Sequence, residues 1–139
     1  MLKASLKPMQ ESGGAIIFVS SVAAEIGMSN HEAIAATKAG VAGLARSAAA
    51  SYSNRNIRVN CVAPGFTVTE MTRQIWENDQ SRQISESMNP FGILGEPRYI
   101  SSCISWLLNE ENKWVNCQVI SVDGGMSTVL PKPKARVSR

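Results

Sequence analysis

The chain has 139 residues, 44% of them hydrophobic, 18% charged and 6% aromatic, which fits one globular domain and is too apolar for a disordered polypeptide. No run approaches eighteen apolar residues and no charged-then-apolar leader opens the chain, so neither a membrane span nor secretion is expected. The net charge of +3 is concentrated in Lys132, Lys134, Arg136 and Arg139, which leaves −1 on the rest. The expected organisation is a nearly neutral body, residues 1–130, with a basic, solvated tail over 131–139, a pattern that gives little support to a nucleic-acid partner.

Residues 1–11 read as the end of a helix that Gly13-Gly14 breaks. Ala15 to Val19 is a short continuous apolar run with β-branched residues, which predicts a strand buried on both faces, as in a parallel sheet. Ser29-Asn30-His31-Glu32 has capping-box spacing and predicts a helix start there. The Ala-rich, proline-free stretch to about Tyr52 continues that helix. Ala35, Ala39, Ala42 and Ala49 keep its surface thin, and Gly40 and Gly43 are expected to mark close contacts.

Ser53 to Asn56 is a turn, Ile57 to Val62 a second strand, and Pro64-Gly65 its end. The polar residues 67–90 read as a loop with short helices, a candidate lid. Pro97 opens another helix, with Ile100, Cys103, Ile104, Leu107 and Leu108 predicted on one face. Val119 to Val122 is a third strand, closed by Asp123-Gly124-Gly125. Strand, helix, strand, helix, strand predicts an α/β fold with a parallel sheet and right-handed crossovers.

Three cysteines without a CxxC pair and a single histidine leave no familiar metal-ligand cluster. Cys61, Cys103 and Cys117 read as reduced, buried small hydrophobes in a cytoplasmic protein. In open parallel sheets, ligands bind beyond the carboxyl ends of strands. Here those ends are Ser20-Ser21, Ala63-Pro64-Gly65 and Asp123-Gly124-Gly125, all polar or glycine-rich.

Five segments now fall into register. Phe18-Val19-Ser20-Ser21, Ala36-Thr37-Lys38-Ala39-Gly40, Ile57-Arg58-Val59-Asn60, Ala63-Pro64-Gly65-Phe66 with Thr69-Glu70-Met71, and Val122-Asp123-Gly124-Gly125 resemble the C-terminal half of a short-chain dehydrogenase/reductase. The similarity is strongest to the 3-oxoacyl-carrier-protein reductase branch. It implies half of a Rossmann-type doubly wound sheet, NAD or NADP as cofactor, and hydride transfer between an alcohol and a carbonyl of a small molecule. It also implies roles. Ser21 matches the serine that hydrogen-bonds the substrate oxygen. Lys38 matches the lysine that holds the nicotinamide ribose and whose charge favours ionisation of a tyrosine hydroxyl. Pro64, Gly65 and the backbone of Thr67 match the loop against the nicotinamide amide, and Thr69 the hydroxyl that helps hold it. Residues 31–53 and 114–127 match the surfaces of homo-oligomers.

Several departures limit what carries over. The family's tyrosine lies four residues before the lysine, where this chain has Ile34, a hydrocarbon that moves no proton. His31 lies seven residues before Lys38, two turns away on the same helix face, where related enoyl reductases place their tyrosine. An imidazole is a competent proton-transfer group, so His31 is a candidate, with a polar role at the helix start as its alternative. The glycine-rich phosphate loop has no counterpart in these residues, and the resemblance places Met1 midway through a family helix. The choice between NAD and NADP is therefore not readable. Cys117 stands where the family has a glycine, so an altered turn is expected there, and Ile93 stands where an arginine is common. Two functional readings follow: a truncated oxidoreductase, or a non-catalytic relative acting as a binding or oligomerisation module.

Overall fold

The computed structural model describes residues 2–9 and 11–132. The basic residues Lys134, Arg136 and Arg139 lie outside the described residues. In chain order the elements are helix α1 (Leu2–Met9), strand β1 (Gly14–Val19), α2 (Glu32–Tyr52), β2 (Ile57–Pro64), α3 (Arg73–Trp76), α4 (Asp79–Ser87), α5 (Pro97–Leu108) and β3 (Val119–Val122). Short 3-10 turns at Val22–Ala24, Ser53–Arg55, Glu70–Thr72 and Glu110–Asn112 connect them.

The three strands form one parallel sheet in the order β1-β2-β3. Val19 pairs with Val62, and Pro64 with Val122, so the carboxyl ends of neighbouring strands lie level. The α/β architecture and the parallel sheet agree with expectation.

Strand β2 is central, and its first seven residues are buried. The residues Ile57, Val59 and Cys61 point to one face, where they meet Leu6 of α1 and Ala45, Ala48 and Ala49 of α2. Alanine at these positions lets the helix lie close to the sheet, and α2 needs no large side chains for the contact. Arg58 and Asn60 point to the opposite face, where both reach backbone carbonyls near α5. Asn60 donates to Val115 O at 2.9 Å and accepts from Gln118 N at 2.9 Å, which pins the approach to β3.

Five expectations need correction. Strand β1 is not buried on both faces: four of its residues are partly exposed, and Val19 is 43% exposed, because nothing in the described residues pairs with its outer edge. The predicted capping box does not form. Asn30 adopts a left-handed φ of 62°, which carries Ser29 away from the helix, and His31 becomes the N-cap with no side-chain capping bond.

Gly40 and Gly43 mark no close contact, since a Cβ on either would meet nothing within 4 Å, and Ala39 is exposed. Leu108 is 48% exposed rather than on the buried face of α5, where only Leu107 is fully enclosed, because the helix ends there and the chain turns at Asn109. Finally, Cys61 alone of the cysteines is buried: Cys103 is partly exposed and Cys117 exposed. The turn at Cys117 keeps the left-handed conformation a glycine would supply, with φ 60°.

Candidate functional site

The carboxyl ends of β1 and β2 carry the candidate residues. Ser20, the residue after β1, is buried and donates its hydroxyl to Lys38 O at 2.9 Å. Lys38, in the second turn of α2, donates from Nζ to Val19 O at 3.0 Å. The two bonds run in opposite directions between the end of β1 and one residue of α2. They fix the helix against the strand and hold the lysine ammonium at the strand terminus.

Ser21 follows, with extended backbone, and caps the Val22–Ala24 turn: its Oγ accepts from Ala23 N at 3.2 Å. The hydroxyl proton of Ser21 has no acceptor among the described residues and is free to donate. Val22 and Ala23 are buried, and this turn packs on α2.

Ile34, one turn before Lys38 on α2, is 43% exposed. His31 begins the helix, and its Nδ1 lies 2.8 Å from Ser29 O. A carbonyl only accepts, so Nδ1 carries the proton and Nε2 is left as the open ring nitrogen. His31 thus takes a polar role at the helix start. Its Nε2 remains available to a ligand.

Beyond β2 the chain turns at Pro64-Gly65. Gly65 is required by space: a Cβ there would lie 2.8 Å from Asp123 Cα. Gly65 N donates to Val122 O, and Thr67 Oγ1 donates back to Gly65 O at 3.0 Å. Thr67 forms an isolated parallel bridge with Gly95, and its own N–H has no partner among the described residues.

Thr69 and Thr72 form a reciprocal capping box on the Glu70–Thr72 turn. The Thr72 hydroxyl also donates to Thr67 O at 2.7 Å, and Trp76 Nε1 donates to Thr69 O at 2.8 Å. The loop is therefore braced from within. The Thr69 hydroxyl lies 3.2 Å from Thr72 Oγ1 and would have to share that contact with any ligand.

The site residues come from three segments that the sequence analysis identified, yet three supporting residues were not singled out for their roles. Ser20 holds α2. Asp123 is buried and accepts from Gly125 N and Ser127 N, both at 2.8 Å. Asn89 Nδ2 donates to Asp123 O at 2.7 Å and ties the end of the 67–90 segment to the end of β3. Ser20 and Asp123 stood within the quoted motifs, but a strand-end serine or aspartate gives no sign of which carbonyl or amide it will meet.

Cys61 lies under the same strand ends. Burial pushes its thiol up, so it remains protonated and is no nucleophile. A 310 Å³ apolar cavity opens behind the Gly65 turn, between Phe66, Leu94, Tyr99, Ile100 and Val122. None of Ser21, Lys38 or His31 lines it. The described residues contain no cluster of three or more metal-ligating side chains, and no helix among them is long and apolar enough to cross a membrane.

Comparison with known proteins places this arrangement. A family model described as Enoyl-(Acyl carrier protein) reductase matches residues 1–127. A 3-oxoacyl-[acyl-carrier-protein] reductase of Vibrio harveyi is 39% identical over 130 residues, which span 93% of this chain and 52% of that protein. A chloroplastic tropinone reductase homolog of Arabidopsis thaliana is 35% identical over 118 residues, 85% of this chain and 37% of that protein. Among solved structures, NADP-bound ElxO superposes with a TM-score of 0.83 at 33% identity, covering 90% of this chain and 51% of that one. The chain thus spans about half the length, or less, of the relatives it matches. Matched over most of its residues in sequence and in fold, the chain belongs to the short-chain dehydrogenase/reductase family and resembles its 3-oxoacyl-[acyl-carrier-protein] reductase members.

Proposed function

We propose that this chain forms the nicotinamide and substrate side of an NAD(P)-dependent oxidoreductase that exchanges hydride between an alcohol and a carbonyl. The observation that carries this reading is the double tie between Ser20, Lys38 and Val19. It sets a lysine ammonium at the level end of two parallel strands, beside the Pro64-Gly65 turn.

The donors at this end suit such a ligand. Lys38 gives one N–H to Val19 O and retains two for ribose hydroxyls. The Thr67 N–H meets no acceptor among the described residues and suits a carboxamide oxygen, with Pro64 and Gly65 shaping the surface beside it. Ser21 has a proton to give to a substrate oxygen. Thr69 is a weaker candidate, because its hydroxyl already meets Thr72. When bound, the dinucleotide supplies the hydride. No glycine-rich strand-to-helix turn occurs in this sequence to hold its phosphates, so this chain's residues fit the nicotinamide end alone.

Fluorescence titration with NADH and with NADPH tests the reading. Saturable binding that Lys38→Ala weakens is the expected result; no binding up to about millimolar cofactor, a free energy of about −4 kcal/mol, would overturn it for the isolated chain. Proton transfer is then assigned by two variants. Ile34→Tyr should raise carbonyl reduction, and His31→Ala should abolish any turnover of the parent while binding survives. Equal turnover in His31→Ala would dismiss His31 as a catalytic group.

A specific observation favours a second reading. Ile34 presents a half-exposed hydrocarbon at the position where the family resemblance puts the proton donor. A non-catalytic relative would bind dinucleotide without turnover, or would act through self-association alone, with residues 31–53 and 114–127 as its candidate surfaces. Sedimentation of the chain beside the titration separates these outcomes. Neither reading assigns a cellular compartment beyond the cytoplasmic one suggested by the reduced cysteines.

A further inference from the structure

A second cavity, of 290 Å³, lies at the opposite end of the sheet, where β2 begins. Strand β2 has eight residues at about 3.3 Å each, so this cavity stands roughly 25 Å from the carboxyl-end site. It is lined by Ser53, Asn56, Arg58, Lys113, Trp114 and Asn116, with the first residue of β2 as its floor.

Its chemistry is one-sided. Arg58 is 9% exposed and donates to Val115 O at 3.1 Å, Leu107 O at 2.9 Å and Asn109 O at 3.4 Å. These acceptors are neutral carbonyls, and no carboxylate among the described residues pairs with Arg58 or with Lys113. A largely buried guanidinium without a counter-charge is costly, and an anion relieves that cost. The carbonyl end of α5 offers only a partial negative charge.

The remaining lining groups are donors in search of acceptors. Asn116 Oδ1 accepts from Val59 N and from Cys117 N, both at 2.9 Å, which fixes the amide and leaves Nδ2 without a partner among the described residues. Arg58 Nε, Lys113 Nζ, the Ser53 hydroxyl and the Asn56 amide likewise have no acceptor among the described residues. No acidic side chain lines the cavity. Glu110 and Glu111 are exposed on the turn just before Lys113 and stay outside it. At the rim, Trp114 is 97% exposed and offers its ring to a flat or apolar group.

We propose that this cavity binds a small phosphate monoester, with the phosphoryl group between Arg58 and Lys113 and the organic part against Trp114. Arginine and lysine together supply directional donors and full positive charge, the combination that phosphate oxygens favour. The volume exceeds that of one phosphate group, which leaves room for a ring. The site is separate from the strand ends that carry Ser21 and Lys38, so its occupancy does not depend on dinucleotide binding.

The test uses the full chain and two probes, inorganic phosphate and phenyl phosphate, with phenol and matched sodium chloride as controls. Quenching of tryptophan fluorescence should saturate with phenyl phosphate, more weakly with phosphate, and not with phenol. Lys113→Glu, at an exposed position whose thermal melt should match the parent, should weaken phenyl phosphate by at least about tenfold. Trp114→Phe should remove most of the signal, which assigns it among the three tryptophans. Quenching that follows ionic strength alone, or equal affinity in Lys113→Glu, would overturn the proposal.

Discussion

Val19 and Val62 are register partners on neighbouring strands, yet one is 43% exposed and the other fully buried. Strand β1 reads GAIIFV and is the more apolar of the two. Strand β2 reads IRVNCVAP and carries an arginine and an asparagine. The less apolar strand occupies the centre. Burial here follows position in the sheet and not hydropathy, because β2 has a neighbour on each side and helices over its flanks, whereas among the described residues β1 has a neighbour on one side only. The polar residues of β2 are tolerated because each has backbone partners waiting: Arg58 finds carbonyls, and Asn60 finds one carbonyl and one amide.

The contrast can be broken most directly on that shared rung. Val62→Ala should destabilise the chain by about 2–3 kcal/mol, and Val19→Ala by less than about 1 kcal/mol, measured by urea unfolding. Equal losses would mean that the β1 edge is covered in solution. Two rungs in, Asn60 faces Ile17. Asn60→Ala should cost about 1–3 kcal/mol by stranding Val115 O and Gln118 N, a loss visible in the same melts.

The open edge itself makes a third prediction. Unpaired strand groups invite pairing with another chain, so the parent should show concentration-dependent association in sedimentation, and Val19→Lys should reduce it. A monomer at all concentrations would refute this.

On the other side of the sheet, the segment entering β3 bends at Cys117 with φ 60°. Cys117→Gly should raise stability by about 0.5–1 kcal/mol, since glycine adopts this conformation without strain. The smallest effect is chemical. At pH 8 a thiol reagent should label Cys117 first, Cys103 more slowly and Cys61 only on unfolding. Burial raises the Cys61 and Cys103 thiols, so less of each is thiolate at that pH, and Cys117 is the exposed one. Fast labelling of Cys61 would show that the centre of the sheet opens.

Much of the fold was legible because its signals are local. The apolar runs at β1 and β3, the alanine-rich α2 and Pro97 at the start of α5 all stand where the residue pattern puts them. What sequence could not show depended on partners far away in the chain. Gly40 and Gly43 look like contact residues, but whether anything lies opposite is a fact of assembly. Ser29 and Glu32 have the spacing of a capping box, yet one left-handed residue between them, Asn30, decides the outcome. In the candidate site, the choice of Ser21, Lys38 and Pro64 rests on their register with a family. The bonds of Ser20, Asn89 and Asp123 that organise them connect residues 18 to 34 positions apart or close tight turns, and no local pattern announces them.

The clamp on Arg58 also has a consequence for biosynthesis. Its carbonyl partners at Leu107 and Val115 lie 49 and 57 residues downstream, and Asn60 waits for Val115 and Gln118, 55 and 58 residues on. A ribosome adding roughly 5–20 residues per second needs about 3–11 s to deliver them. Until they arrive, the middle strand carries a guanidinium and an amide that only water can satisfy. The nascent chain therefore cannot close its sheet around β2 before residues 107–118 have been made, and that later segment is what releases the fold.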